Sequence, residues 1–277
     1  MATIDGKDIL TTWRMALLTG SFDSLFRYPT RSVVKYTNYA EVDGIIPALS
    51  QFEIEPRKVS LNFMIRHNSE TDFWGVYYNF RNAMIADGYR TMSFGTGITH
   101  ALRYDRAQKM RSIRLFNTDG GTYFTMDFIE DKTAIDPNIT TPINGIRIKG
   151  VYVVDGMDFG NFGIHPDGDM GEVLKFADIK PPFFDGRKYY PEANKFKHRE
   201  LTLKFWMLSA SQSEFIRNYQ AFYNAFAKAG KQQLYIRETD TTSDVYYMDC
   251  PAYRVIWTDK PSAFFSIKFC FPKSTQS

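Results

Sequence analysis

The sequence predicts a mainly β fold of the α+β kind: two tandem β-sandwich or barrel domains, each flanked by one amphipathic helix. Three observations lead there. Aromatic residues make up 16% of the 277 positions, and such side chains suit a pleated, half-buried surface. Short apolar runs recur between turn residues, as in a sandwich or barrel. And the stretch from Ile54 to Phe94 occurs again, from Phe196 to Ile236.

The repeat aligns without a gap at an offset of 142, the distance from Arg57 to Arg199. Leu61 falls on Leu203, Phe63 on Phe205, Ser69 on Ser211, Phe73 on Phe215, Tyr77 on Tyr219, Phe80 on Phe222 and Gly88 on Gly230. Asp43-Gly44 lies opposite Asp185-Gly186, and Tyr123 to Met126 resembles Phe264 to Ile267. The opening Ile4-Asp5-Gly6 is matched to Ile143-Asn144-Gly145 at a slightly smaller offset. A polar segment with two prolines separates the copies, as a linker should. The expected division is residues 1–132, a linker 133–142, and residues 143–277.

Within each copy the pattern reads strand, helix, strand. Val59, Leu61, Phe63 and Ile65 alternate as on a strand with one buried face, and Leu201, Leu203, Phe205 and Met207 repeat them. Ser69 and Ser211 stand where a helix N-cap is needed, with acids close behind that suit the helix dipole. Phe73, Tyr77, Phe80 and Met84 then form one helical stripe, as do Phe215, Tyr219, Phe222 and Phe226. Gly88 and Gly230 are expected as left-handed C-terminal caps. Strands follow at 89–94 and 231–236. Further strands are expected at 14–18, 33–36, 112–116, 123–129, 146–154, 173–176, 253–257 and 264–271. One helix per copy is too few for a parallel α/β sheet. Long loops at about 37–52 and 178–196 are read as arms for gripping neighbours.

Composition narrows the function. A net charge of +3 gives no support for a nucleic-acid binder on charge alone. No apolar run is long enough for a transmembrane helix, and the first residues lack a basic and then apolar leader. Cys250 and Cys270 sit in strand-like runs and are read as buried free thiols, two cysteines being no disulfide framework.

On the opening Ile4 to Ile9, the strand Phe52 to Leu61, and the helix-and-strand unit Thr71 to Met92 with its second copy, the chain resembles the phage distal-tail and tail-tube superfamily. The resemblance implies a β-sandwich flanked by a helix, closing into a ring around a channel wide enough for DNA. It implies as partners the chain itself, other tail proteins, and DNA passing without sequence recognition. It implies the virion tail as the location, with assembly in the host bacterial cytoplasm and no insertion into a membrane. Many distal-tail proteins carry a different, galectin-like second domain, whereas here the second half copies the first. Three chains giving a pseudo-sixfold ring and six chains giving twelve domains both fit. The alternative is a carbohydrate-binding tandem β-sandwich of a tail or cell-surface assembly.

Catalytic, cofactor and metal residues are all expected to be none. His67, His100, His165 and His198 are scattered, whereas a metal needs clustered ligands. Gly95-Thr96-Gly97-Ile98-Thr99-His100 lacks the last glycine and following helix of a dinucleotide loop. The acidic loop 167–172 lacks EF-hand spacing. The basic stretch Arg103, Arg106, Lys109, Arg111 and Arg114 is read as a solvated face, with a channel or subunit contact as the other option. The residues nominated for subunit contact are Arg57, Arg199, Asp43, Gly44, Asp185 and Gly186. For the two arginines, pairing with an acid inside the fold stays open beside that reading.

Overall fold

A computed structural model describes residues 2–39, 42–112, 120–143, 149–168, 178, 180 and 196–273, without the side chains of 107–112 and 120. In the first half the elements are β1 (Thr3–Ile4), β2 (Lys7–Asp8), α1 (Ile9–Trp13), β3 (Met15–Leu17), α2 (Ser21–Phe26), β4 (Tyr36–Thr37), β5 (Ile46–Pro47), β6 (Arg57–His67), α3 (Glu70–Ile85), β7 (Arg90–Ser93), β8 (Thr99–Ser112) and β9 (Gly120–Glu130). In the second they are β10 (Tyr152–Val154), β11 (Met157–Asp158), a 3-10 turn at Phe159–Phe162, β12 (Ile164–Pro166), β13 (Arg199–Leu208), α4 (Gln212–Phe226), β14 (Gln232–Ile236), β15 (Thr241–Ile256) and β16 (Ser262–Phe271).

Each half builds one antiparallel seven-stranded sheet, and the two strand orders match. The first runs β2-β1-β7-β8-β9-β6-β3 and the second β11-β10-β14-β15-β16-β13-β12. The outer strands do not pair with each other, so the barrel option does not occur and each sheet stays open. The long strand β8 is why the sheet can fold over. Its start pairs with β7 through Thr99 to Leu102, and its remainder pairs with β9 from Arg103 onward. Register shifts fall between Tyr104 and Arg106 and between Ala107 and Met110. β15 hands over in the same way from β14 to β16, with shifts between Tyr247 and Asp249 and between Asp249 and Ala252. Bulges let a strand bend from one layer into another.

The helices form where the caps allow. Ser69 is extended and its hydroxyl accepts from Asp72 N–H; Ser211 does the same for Glu214 N–H. Phe73, Tyr77, Phe80 and Met84 are buried against the sheet, with Phe80 edge-on to Trp13 of α1 and to Phe63 of β6. The expected glycine caps are not the caps. The helices end at Ala86 and Ala227, and Gly88 and Gly230 adopt positive φ later, in the turns that lead into β7 and β14.

Other expectations shift. The counterpart of Ile4-Asp5-Gly6 is Val154-Asp155-Gly156, not residues 143–145. Both Asp-Gly pairs have positive φ and close tight hairpins, the geometry of a two-residue type I′ turn. The strand expected at 33–36 is shorter and shifted. Val33 is 87% exposed, and only Tyr36–Thr37 pairs, with Ile46–Pro47, in a small two-stranded arm. Arg57 to Ile65, 123–129 and 264–271 are strand as expected. The strands expected at 173–176, and in part at 112–116 and 146–154, lie outside the described residues.

The halves share their core. Buried side chains of both belong to one continuous apolar cluster. Tyr28, a first-half residue, lies inside the second half. Its ring stacks on Tyr219 at 4.7 Å and Tyr223 at 5.2 Å, and meets Phe226, Tyr253 and Phe265 edge-on. Its hydroxyl donates to the Tyr219 carbonyl at 3.1 Å. Replacing a fully buried aromatic by alanine costs roughly 3–5 kcal/mol. Tyr28→Ala is expected to lose about that much and to split urea unfolding into two transitions, one per half, in fluorescence and circular dichroism. A single undiminished transition would show that Tyr28 does not couple them.

Candidate functional site: the contact between the halves

The largest described contact between two folded units joins the two halves of this chain. From α2 onward the first half reaches across. Phe22 and Phe26 stack on Trp257, and Phe26 also meets Phe215 and Tyr219 edge-on. Polar groups fix the register. Asp23 accepts from Val255 N–H and Arg27 donates to the Cys250 carbonyl, both at 2.7 Å. Thr30 donates to Asp249, and Tyr247 donates to the Pro29 carbonyl. Arg31 is buried with its guanidinium over the rings of Phe52 and Tyr246, at 5.0 and 5.5 Å. A cation over two aromatic faces keeps favourable electrostatics where water is excluded.

Beyond β4 the arm docks too. Ile45 and Leu49 form a small second cluster with Tyr246 and Cys270. Asp43 accepts from Phe196 N–H at 2.9 Å, Gly44 N–H donates to the Phe196 carbonyl, and Ile45 N–H donates to the Pro272 carbonyl. Gly44 has φ of +72°, and a Cβ there would overlap the Pro272 carbonyl oxygen, so no other residue fits without moving backbone. Lys180 is buried, and its ammonium donates to the carbonyls of Tyr39, Val42 and Gly44 at 2.7–2.8 Å. Three donors on three acceptors leave that charge fully hydrogen-bonded.

The linker covers α4 as well. Asp136 N–H donates to Gln220, Ile143 N–H to Asn218, and Arg217 donates to the Thr141 carbonyl. Asn224 donates to the carbonyls of Asp136 and Ile139. Among the described residues no linker covers the corresponding flank of α3, which faces α1. There, Thr12, Trp13, Ser69, Asp72, Gly75, Val76 and Asn79 help line a cleft of about 500 Å³. Its one carboxylate, Asp72, is paired with Arg14, whose hydrogen bond holds the carboxyl below the usual range.

The nominated contact residues can now be placed. Asp43 and Gly44 grip the chain's own second half. Arg57 pairs inside the fold: its guanidinium donates to Glu130 and to the carbonyls of Ser24, Leu25 and Arg27. That is the fold-internal one of the two readings, and it ties α2 to the end of β9. Arg199 lies over the Phe271 ring at 5.5 Å. Asp185, Gly186 and most of the loop 178–196 lie outside the described residues, as do the acidic loop beyond Gly168, Arg114 and the side chains of Lys109 and Arg111. Arg103 pairs with Asp131, and Arg106 with Asp127. Gly95 and Gly97 form the turn between β7 and β8. Sequence reading missed Tyr28, Arg31 and Lys180.

Among the described residues no group of three or more His, Cys, Asp or Glu is placed to hold a metal, and no helix is long and apolar enough to cross a membrane. Cys250 and Cys270 are buried free thiols. Burial pushes Cys250 up to about 12 and Cys270 to about 11, so little reactive thiolate forms near neutrality. His67 bonds Thr122, His165 lies against Trp206, and His198 lies near Tyr36.

His100 completes a buried charged group with Glu130 and Arg57. Burial pushes the Glu130 carboxyl up, but Arg57 and His100 outweigh it and hold the carboxyl below its ordinary value. Burial pushes the His100 ring down, and this outweighs its bond to Glu130.

No protein-family model matches the chain. No curated protein matches it in sequence. Among solved structures, the SPP1 Dit (gp 19.1) protein, described as a paradigm of hub adsorption apparatus in Gram-positive infecting phages, is 13% identical. The match covers 98% of each chain, with a TM-score of 0.33. So loose a superposition carries no argument, and the functional reading rests on the chain's own residues.

Two outcomes follow from the buried charges. Arg57→Met strands Glu130 without its cation and is expected to cost roughly 3–5 kcal/mol in urea unfolding, with Glu130→Gln in the same chain recovering much of the loss. A loss no larger for the single than for the double variant would contradict the pairing. His100 has a folded value below its unfolded value of about 6.5, so in between the unfolded chain binds the extra proton. Its contribution is present above about pH 6.5 and is lost as pH falls from there towards the folded value. The urea midpoint should therefore drop between about pH 7.5 and about pH 5.5, and drop less in His100→Gln. Equal slopes would exclude His100 as the cause.

Proposed function

We propose that the chain is a structural component of a phage or phage-like tail. In this reading it forms a ring around the DNA channel at the tube or baseplate, as a distal-tail, hub or tube protein. It acts as a passive conduit and adaptor rather than as a catalyst. The observation that carries the reading is the asymmetry, among the described residues, of the contact between two like halves. The first half lends described residues of 22–31 and 43–49 and the linker, and the second half receives them chiefly on α4, β15 and β16. A two-fold exchange would cover the two long helices equally. Instead ten residues of α4 are buried and four of α3. Like units joined head to tail generate a ring if the rotation closes. The sequence resemblance to distal-tail and tail-tube proteins supports the same reading.

The purified full chain is expected to assemble into closed rings, seen by light scattering with negative-stain images of the same peak. Three chains with six lobes would favour a tube or hub position, and six chains a distal-tail adaptor. A compact single chain at every concentration, binding on a glycan array, would replace the reading with the carbohydrate-binding one.

A further inference from the structure

The solvent side of the second sheet carries an aromatic row that the first sheet lacks. Strand register fixes it. Arg254 of β15 stands opposite Phe264 of β16, Phe264 opposite Trp206 of β13, and Trp206 opposite His165 of β12. Residues directly opposite on antiparallel strands share a face, so these side chains form one line across the sheet. Their chain neighbours Val255, Phe265 and Met207 point the other way and are buried in the core. Phe264 is 43% exposed, and Ile256, on the same face as Arg254, is 47% exposed. Trp206 is partly exposed, with the buried His165 ring 5.1 Å from it. In the first half the matching line is Tyr123, Met64 and Ala16, with one aromatic ring in place of two.

Free positive charge flanks the row. Lys204 lies two positions before Trp206 on the same face of β13, and both Lys204 and Arg254 are exposed. Among the described residues neither has a carboxylate partner, whereas Lys268 on that face is taken by Glu200. We propose that the row is a binding face for an acidic glycan, a chain of sugar rings of which some carry a carboxylate or a phosphate. A sugar ring has C–H groups on its faces and hydroxyls around its edge. Stacking removes the C–H faces and the Phe264 and Trp206 rings from water together. The hydroxyl edges are left to polar groups beside the row, such as Thr202 and Ser262. Adjacent strands lie about 4.8 Å apart, so two neighbouring strands present their rings side by side to a flat, extended chain. Lys204 and Arg254 complement the acid groups with charge-assisted hydrogen bonds. A nucleic-acid strand fits less well. It carries a phosphate on every unit, while this face offers two free cations and also the Glu200 carboxylate. The inference goes beyond the ring proposed above and does not depend on it.

The test applies the full-length chain to an array of glycans bearing uronic acid, sialic acid or phosphate, each beside its neutral parent, with oligothymidylate as the nucleic acid. Acidic glycans should bind and their neutral parents should bind more weakly. Titration calorimetry with the best-bound glycan then compares variants. Phe264→Ala should weaken binding about 10-fold or more. Lys204→Gln with Arg254→Gln should bring the acidic glycan down to the level of its neutral parent. Both changes sit at exposed positions and should leave the melting temperature unchanged; if Phe264→Ala melts lower, the paired charge variant decides. An array with no acidic glycan bound would overturn the proposal, and so would variants that bind as the parent does. Tighter binding of oligothymidylate than of any glycan would reassign the face to single-stranded nucleic acid. Light scattering on the same samples separates this face from the ring. Variants that lose the glycan yet assemble as before support both, and a chain that never assembles but binds through Phe264 keeps the face and loses the ring.

Discussion

The fold depends on an aromatic ring placed in the wrong half. Tyr28 belongs by sequence to the first unit, yet it fills the space between α4 and β15–β16 of the second, stacked between Tyr219 and Tyr223. Interiors are packed to near crystal density and tolerate few voids. The second half therefore has a gap that only the first half fills. Everything around that ring serves to keep it there. Phe22 and Phe26 lie on Trp257, Arg31 sits between two rings, and the Pro29 carbonyl takes the Tyr247 hydroxyl. Two copies of one pattern have become a single body with one continuous core.

Buried charges then fix geometry that apolar contact alone would leave loose. Arg57 draws three carbonyls of the α2 region and Glu130 onto one guanidinium. Lys180 does for the arm at 39–44 what a bound cation would do, ordering three carbonyls around one centre. Hydrogen bonds demand direction as well as proximity, so such groups select one arrangement among several that would bury the same apolar area. Gly44 adds a steric condition, since its place against Pro272 admits no Cβ.

The strand–helix–strand centre of each half was legible in the sequence because it is periodic. Leu61, Phe63 and Ile65 alternate, Phe73, Tyr77, Phe80 and Met84 follow the helix, and both series recur at a fixed offset. The contact between the halves was less legible for a physical reason. Its key residues sit where the spacing between copies changes. Thr30 and Asp178, which accept from the equivalent Glu55 and Lys197, are 148 apart and Asp5 and Asp155 are 150 apart, so an ungapped comparison at 142 misses both the Asp-Gly hairpins and the segment before Thr30. Arg57 and Asp43-Gly44 were found because they keep the main offset. Their use inside the chain was not visible, since sequence distance does not tell an internal neighbour from an external one. Lys180 had no local pattern at all: its acceptors are backbone carbonyls, which any sequence supplies.

The placement of Tyr28 also sets an order of events during synthesis. Ribosomes deliver roughly 5–20 residues each second. Tyr28 emerges long before Phe265, one of the rings it meets edge-on, which lies 237 positions later in the chain (265 − 28). For roughly 10–50 s the growing chain holds Phe22, Phe26 and Tyr28 with their partners unmade. A nascent first half thus has an aromatic segment open to water, and to any neighbouring nascent chain, until its own second half arrives to cover it.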